Sequence, residues 1–448
     1  MLSSTVAIIL TTIALLSFTT SEPVPPGPNP STISGLQPGT TFKRTLELIL
    51  SDCTSDNYTH MVFDGAWPID QFQFTYGSDQ ANQQAVQIMQ QFVQYAKYCQ
   101  QCKASFRVGG RTRVEVSSQF FSYYLKGSKS RNMFVKNLVA LATGYGFEGV
   151  VVSWQCTQIP FPLLQVVYLY FPLLNPLEPR VGVGCNTRSP EDVLNFGYFA
   201  QVSLEFKNVW NNGRLIVRST LNGFIGASGN YATSQETSLL AQYVDYIDLM
   251  AYDGYTGNKG YKTGPFSALT AQCPTIPYLS NGIMELLQIM QSQGFPNNKL
   301  ILGFTGYGRL FYLPQGFNTN AGISQVAYGA APPGGMTDNL NGTLNACGQS
   351  RGFEGIYLLN EILQNGWLAS DGVSSTNVLT RGWDECAIQP YLYNQQYMLV
   401  YDDPKSLQIK SKYARGSGLA GLSFYDSMGF PNVFLQAALS VWVNSGSV

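Results

Sequence analysis

Residues 146–155 read Gly-Phe-Glu-Gly-Val-Val-Val-Ser-Trp-Gln, and this stretch decides the fold. Its three successive valines are β-branched and precede Trp154, a pattern typical of a β-strand with a loop beginning at its end. Similar strand-like segments recur along the chain. We predict eight strands, at residues 45–51, 60–66, 104–110, 147–154, 215–222, 246–252, 299–307 and 418–425.

Helical patterns lie between most of these strands. They cover residues 80–98, 117–143, 190–210, 236–243, 281–293, 404–416 and 432–443. Strands that alternate with helices indicate a parallel sheet with helical crossovers. A count of eight favours closure, so we predict an α/β fold, a (β/α)8 TIM barrel. The alternative is an open doubly wound sheet, but the sequence has no GxGxxG turn after its first strand.

One segment, residues 309–398, is far longer than a single loop. Because it contains strand-like and helix-like pieces, we interpret it as a small α+β domain inserted after the seventh strand. The barrel is then assigned to residues 41–308 and 399–448. Residues 22–40 are rich in Pro, Gly, Ser and Thr and are predicted to form an N-terminal tail.

The first 21 residues contain an apolar run at 6–18 followed by small polar residues. This pattern predicts a signal peptide at 1–21 and a secreted, extracellular protein. The run is too short to span a membrane comfortably. Two N-glycosylation sequons, at Asn57 and Asn341, are consistent with secretion.

Eight cysteines in a chain predicted to be exported indicate disulfides. We expect two local bridges, Cys347–Cys386 and Cys156–Cys185. The single histidine, His60, cannot build a metal site, and no cysteine–histidine cluster has zinc spacing. We therefore predict neither a metal nor a cofactor.

The charge balance bears on the partner. Lys plus Arg number 26 and Asp plus Glu number 27, so the chain has no basic excess and nucleic acid is not an expected partner. Only 12% of the residues are charged. A surface of hydroxyls, amides and aromatic rings suits neutral ligands such as sugars, and it is equally consistent with an ordinary secreted protein.

Residues 157–180 form an almost wholly apolar segment directly after the strand at 147–154. Four prolines interrupt it, so we do not expect a membrane span. The segment is interpreted as a lid, as a contact patch for a protein partner or as an artefact of the predicted gene.

The opening stretch resembles the FDGxDxDWE signature of glycoside hydrolase family 18, the chitinases and chitinase-like proteins. Phe147, Gly149 and Trp154 match that signature. The four positions that are acidic in the family hold Glu148, Val151, Ser153 and Gln155.

Further segments resemble family motifs in the same order along the chain. They are residues 59–63 (the second strand), 103–110 (the strand ending in SxGG), 248–253 (MxYD), 302–309 (LGxPxYGR), 401–406 (YDDxxS) and 418–421 (the glycine-rich last strand). Because their order and spacing agree, the chain is identified as a member of the family. The resemblance implies a (β/α)8 barrel with an inserted α+β domain.

The resemblance also implies a chemistry. Family 18 enzymes cleave chitin with a Glu that protonates the glycosidic oxygen and an Asp that stabilises the attacking acetamido group. Gln155 cannot deliver a proton, and the loss of a general acid alone costs roughly 10²–10⁴ in rate. Ser153 and Val151 replace two aspartates, and Glu148 lies roughly 23 Å from Gln155 along an extended strand. We therefore predict a pseudoenzyme with no catalytic residue.

The family cleft binds sugars on aromatic faces. The residues expected to bind a ligand by this resemblance are Trp67, Arg111, Trp154, Gln155, Tyr252, Asp253, Tyr307, Arg309 and Tyr425. Tyr425 aligns with the floor Trp of the family, whereas Arg111 stands where the family has a Trp.

Three functions follow from these observations. The first is a secreted noncatalytic protein that binds chitin or N-acetylglucosamine oligosaccharides. The second is a secreted signalling or interaction protein that contacts a protein partner through residues 157–180. The third is a chitinase that retains residual activity through displaced residues.

Overall fold

The computed structural model describes most of the chain between residues 60 and 443. The described residues are 7–12, 60–64, 67–69, 73–75, 89–90, 92–94, 96, 103–109, 121–122, 124–153, 189–205, 214–255, 262–276, 281–327, 330–338, 341–342, 352–376, 378–425 and 429–443.

Fifteen strands are described. In chain order they are β1 (Ala7–Thr12), β2 (His60–Asp64), β3 (Trp67–Ile69), β4 (Gln73–Thr75), β5 (Lys103–Gly109), β6 (Gly149–Ser153), β7 (Arg214–Thr220), β8 (Tyr246–Met250), β9 (Leu300–Thr305), β10 (Tyr307–Tyr312), β11 (Ile356–Leu358), β12 (Thr380–Asp384), β13 (Gln389–Tyr393), β14 (Tyr397–Val400) and β15 (Gly421–Tyr425).

Seven α-helices are described with defined bounds. They are α1 (Ser128–Tyr145), α2 (Asp192–Glu205), α3 (Ser238–Tyr243), α4 (Ile283–Ser292), α5 (Leu359–Gln364), α6 (Pro404–Gly416) and α7 (Asn432–Val443). Short 3-10 helices cover Asn297–Lys299 and Thr319–Ala321. Among the described residues, no helix is both long enough and apolar enough to cross a membrane.

The central element is a parallel sheet curled into a barrel. Its strands follow the order β1-β15-β9-β8-β7-β6-β5-β2, in which seven strands come from residues 60–425 and β1 completes the ring. Strands alternate with helices along most of the chain. The prediction of a TIM-barrel-like α/β fold is therefore confirmed.

The first strand of the ring lies within the segment predicted as a signal peptide. Ala7–Thr12 pairs in parallel with β15 on one side and β2 on the other. This stretch was assigned to the signal peptide, and the barrel was expected to begin at residue 41. The physical reason is that an apolar run such as Ala-Ile-Ile-Leu suits a buried parallel strand as well as a leader. The predicted strand at 45–51 lies outside the described residues.

The strand β6 is buried on both faces, as expected of a strand in a parallel barrel. Val150 and Val152 pack outward into the core beneath the helices. Val151 points inward and shares an apolar layer with Val62, Ile216 and Ile301. The alternation along the strand places Ser153 inside the barrel as well, at its carboxyl end.

A second sheet follows β9. It is antiparallel with strand order β11-β10-β14-β13-β12, and α5 follows β11 directly. One face of this sheet, with Phe311 and Met398, packs against the loop after β8. The other face, with Leu310 and Leu399, joins the main core. This sheet partly supports the predicted α+β insertion at 309–398.

Candidate functional site

Five of the predicted ligand-binding residues meet at the carboxyl ends of the barrel strands, where TIM-barrel sites lie. Tyr252 and Asp253 follow β8, Tyr307 and Arg309 belong to β10, and Tyr425 ends β15. The fold brings them together because β8, β9 and β15 are neighbours in the ring and β10 follows β9 directly.

The three tyrosines form a packed aromatic cluster. The Tyr252 and Tyr425 rings stack with centroids 6.3 Å apart, and Tyr307 meets both edge-on at 6.5 Å. Phe266, which the sequence analysis missed, stacks on Tyr252 at 6.4 Å. Tyr252 and Tyr307 are buried, whereas Tyr425 is half-buried and offers ring surface to a ligand.

Burial raises the pKa of the Tyr252 and Tyr307 phenols well above the usual value. Both hydroxyls therefore stay protonated at physiological pH and remain hydrogen-bond donors. The Tyr307 hydroxyl donates to Asp253 Oδ2 at 3.2 Å.

Asp253 is the carboxylate of the site. Its backbone φ of 59° lies in the left-handed region, which a residue other than glycine rarely adopts. Its Oδ1 accepts hydrogen bonds from Arg309 Nε at 3.1 Å and Nη2 at 2.9 Å. Its side chain keeps 25% exposure, so the carboxylate is also partly accessible to solvent.

Arg309 connects this carboxylate to the second sheet. Its side chain is 4% exposed, and Nη1 donates to the Glu354 carbonyl at 2.9 Å and to Glu354 Oε2 at 3.4 Å. Burial opposes its charge, but Asp253, Tyr307 and Glu354 raise the pKa of Arg309 above its usual value. Arg309 therefore holds a permanent charge between the barrel and the inserted sheet.

Beneath the tyrosines lies a buried ion pair that the sequence analysis missed. Arg218 Nε donates to Asp248 Oδ2 at 2.8 Å, and both side chains are at most 2% exposed. Ser423 Oγ donates to the other oxygen, Asp248 Oδ1, at 2.5 Å. The sequence does contain a sign of this pair: a charged residue, Arg218, stands within the apolar strand β7. It lies two residues after the inward-facing Ile216 and therefore also faces the inside of the barrel.

Two of the four positions that are acidic in the family, 151 and 153, lie on β6. Val151 is 1% exposed within its apolar layer, and Ser153 is fully buried at the strand end. Glu148 precedes the strand at the opposite end of the barrel, where its carbonyl accepts from the Arg214 amide at 3.1 Å. Within the described part of β6, no carboxylate faces the cleft.

The remaining predicted residues are not part of this cluster. Trp67 begins the β3–β4 hairpin after β2, and Asn341 lies in an exposed turn. Arg111, Trp154, Gln155 and Asn57 lie outside the described residues, as does the segment 157–180.

One disulfide corrects the predicted pairing. Cys386 bonds to Cys273, with Cα atoms 5.8 Å apart and a sequence separation of 113, and not to Cys347. The loop after β8 packs on the β12–β13 turn, where the Leu269 amide donates to the Ala387 carbonyl at 2.8 Å. Spatial packing therefore overrides sequence proximity. The predicted Cys156–Cys185 bridge lies outside the described residues.

In the part of the chain that the structure describes, no group of three or more His, Cys, Asp or Glu side chains is arranged to hold a metal ion. The one histidine, His60, is buried at the opposite end of the barrel, 6.4 Å from the Tyr246 ring.

Sequence comparison agrees with this architecture. The profile of the glycosyl hydrolases family 18 matches residues 37–428 of the 448-residue chain. The chain belongs to glycosyl hydrolase family 18. This family 18 protein is 27% identical over 336 residues to a chitinase-like effector of Moniliophthora roreri, covering 73% of this chain and 74% of that protein.

Solved structures share the fold of this family 18 protein. A chitinase from Rhizomucor miehei superimposes with a TM-score of 0.72 at 19% identity, covering 97% of this chain and 100% of the other. A class V chitinase from Nicotiana tobaccum, a glutamate-to-glutamine mutant in complex with NAG4, gives 0.64 at 19% identity, with 88% and 95% coverage.

Proposed function

We propose that this protein is a noncatalytic chitinase-like protein that binds N-acetylglucosamine oligosaccharides in the cleft around Tyr425. The observation that carries the proposal is a contrast within one barrel. Strand β6 presents Val151 and Ser153 where the family has acids, while the three tyrosines, Asp253 and Arg309 form a connected polar and aromatic cluster.

The noncatalytic part rests on proton transfer. Hydrolysis needs a proton donor and an anion beside the developing positive charge. Gln155 is an amide at the donor position, and Ser153 offers no charge. Asp253 is engaged by Arg309 and Tyr307, so its charge is already compensated.

The binding part rests on surface chemistry. The half-buried ring of Tyr425 suits the CH-rich face of a pyranose. Asp253 supplies a partly exposed acceptor, and the protonated Tyr252 phenol next to it supplies a donor, for hydroxyl and acetamido groups. The relatives agree with this proposal, because a glutamate-to-glutamine mutant of a related fold holds NAG4 and a relative is named a chitinase-like effector.

Two assays on the full-length protein test the proposal. Calorimetry with N-acetylchitohexaose should give saturable binding, whereas cellohexaose, which lacks acetamido groups, should bind at least tenfold more weakly. A chromogenic chito-oligosaccharide should not be turned over. Absence of binding to both the hexaose and chitin beads would refute the sugar-binding part, and turnover that disappears in Asp253→Asn would refute the noncatalytic part.

A further inference from the structure

The buried pair Arg218–Asp248 has no place in the site as proposed so far. Arg218 and Asp248 are partners in register on β7 and β8, and both face the inside of the barrel. Burying two charges is costly, and apolar residues of similar volume often give equal or greater stability. The pair is therefore poorly explained by stability alone.

The geometry of Asp248 is fixed from two sides. Its Oδ2 accepts from Arg218 on β7, and its Oδ1 accepts from Ser423 on β15. Strand β9 lies between β8 and β15 in the ring. The hydrogen bond between Ser423 and Asp248 passes over strand β9 at Gly303. A Cβ added to this glycine would lie 3.2 Å from Asp248 Oδ1 and 3.1 Å from Ser423 Oγ. The glycine opens the path, and the carboxylate holds Arg218 in one place.

Arg218 in turn contacts the ligand-facing ring. Its guanidinium carbon lies 5.2 Å from the centroid of Tyr425, within the range of a cation–π contact. Ser423 and Tyr425 are two residues apart on β15 and project to the same side of the strand. Asp248, Ser423, Arg218 and Tyr425 therefore form a continuous buried chain that ends at the cleft surface.

We propose that Arg218 is a positioning residue of the cleft: clamped by Asp248, it supports one face of the Tyr425 ring so that the other face meets the sugar. The nearly parallel ring of Tyr252, at 6.3 Å, and the edge-on ring of Tyr307, at 6.5 Å, also pack against Tyr425. The inference rests on the proposed sugar binding for its functional consequence. The ring geometry can be measured without any ligand.

A charge-balanced variant tests the role of the pair. Arg218→Met with Asp248→Leu removes both charges at similar volume, so neither partner stays buried and unpaired. The matched control is Lys410→Met with Asp402→Leu, which removes another buried ion pair. Lys410 lies on α6 and Asp402 just before it, and Lys410 Nζ is 2.5 Å from Asp402 Oδ1. If the first double variant does not fold, Arg218→Lys replaces it, since lysine keeps the charge but lacks the planar guanidinium.

Two readouts separate the inference from the proposed function. The first is the Kd for N-acetylchitohexaose, and the second is the 19F resonance of 3-fluorotyrosine at position 425, assigned with Tyr425→Phe. We expect the Arg218 variant to weaken binding roughly tenfold, in line with a partly desolvated cation–π contact, and to shift or broaden the Tyr425 resonance. The control should leave both unchanged, and in a Tyr425→Ala background the Arg218 variant should cause no further loss.

An unchanged resonance and an unchanged Kd in the Arg218 variant would overturn the inference, as would equal losses in the control. If the unmodified protein binds no hexaose, the proposed function fails, and the 19F resonance alone then decides whether Arg218 positions the ring.

Discussion

Arg309 binds both the carboxylate of Asp253 at the end of a barrel strand and the backbone carbonyl of Glu354 beside the inserted sheet, each at 2.9 Å. One buried guanidinium thus connects the two sheets at the edge of the cleft. Asp253 keeps a left-handed backbone at this point. The contact is therefore expected to stabilise the strained residue as well as the domain junction.

Arg309→Met is expected to destabilise the fold by about 3 kcal/mol, because it leaves Asp253 without its buried cation. Arg309→Lys should lose less, since the charge is retained but the paired donation from Nε and Nη2 is lost. Urea unfolding of the three proteins measures the difference. Equal free energies of unfolding for Arg309→Met and the wild type would show that the Arg309–Asp253 ion pair contributes nothing to stability.

Restoring the proton donor alone should not restore hydrolysis. Gln155→Glu supplies a carboxyl group, but Ser153 still offers no charge and the layer around Val151 is apolar. We expect turnover of a chromogenic chito-oligosaccharide to stay at the wild-type background. Turnover clearly above that background would mean that another residue performs the stabilising role.

Restoring a second acidic residue of the family signature, at position 151, is expected to destabilise the fold. Val151→Asp would place a carboxylate among Val62, Ile216 and Ile301, all at most 1% exposed. We expect a loss of about 3 kcal/mol in the free energy of unfolding, seen as an earlier urea midpoint. Val151→Thr, which keeps the shape and adds only a hydroxyl, is the control and should lose less.

The disulfide Cys273–Cys386 closes a loop of 113 residues that includes most of the inserted sheet. Cys273→Ser with Cys386→Ser is expected to lower the free energy of unfolding by about 2–4 kcal/mol. Thermal unfolding with and without a reductant measures this. The reductant should affect the wild-type protein more than the double variant, and an equal effect on both would assign the stabilisation to other bonds.

His60 should make stability depend on pH. Burial, with Lys103 and Arg214 nearby and Asp245 opposing them, lowers the pKa of His60 from 6.5 to about 4. Because the folded state disfavours the protonated form, this contribution is fully present above pH 6.5 and is lost as the pH falls through about 4. The loss amounts to ~3 kcal/mol.

The control for this prediction is His60→Gln, which does not titrate. Urea midpoints between pH 7 and pH 4 should fall less in the variant than in the wild type. Parallel pH profiles would mean that other groups cause the acid sensitivity.

Much of the architecture followed from local pattern. The valines of β6 predicted that strand, and the family motifs assigned Asp253 and Arg309 to the same binding site. Their contact fits that assignment, because both residues follow strands whose carboxyl ends share one edge of the barrel. These signals are periodic and short-range, so the sequence displays them directly.

The features that escaped prediction depend on contacts between distant segments. Cys386 pairs with Cys273 only because a barrel loop packs on a turn of the inserted sheet. Predicting the Arg218–Asp248 pair requires knowing which strands are neighbours in the ring. The strand β1 was missed because a leader and a buried parallel strand have the same apolar composition.

The pairing of β15 with β9 has a consequence for how the chain is made. Leu302 and Leu422 are partners in the ring, yet the whole five-stranded sheet and α6 are synthesised between them. At roughly 5–20 residues per second, the edge of β9 stays unpaired on the ribosome for on the order of ten seconds. Barrel closure is therefore a late event in biosynthesis, and the nascent chain exposes an apolar strand edge until its final strand appears.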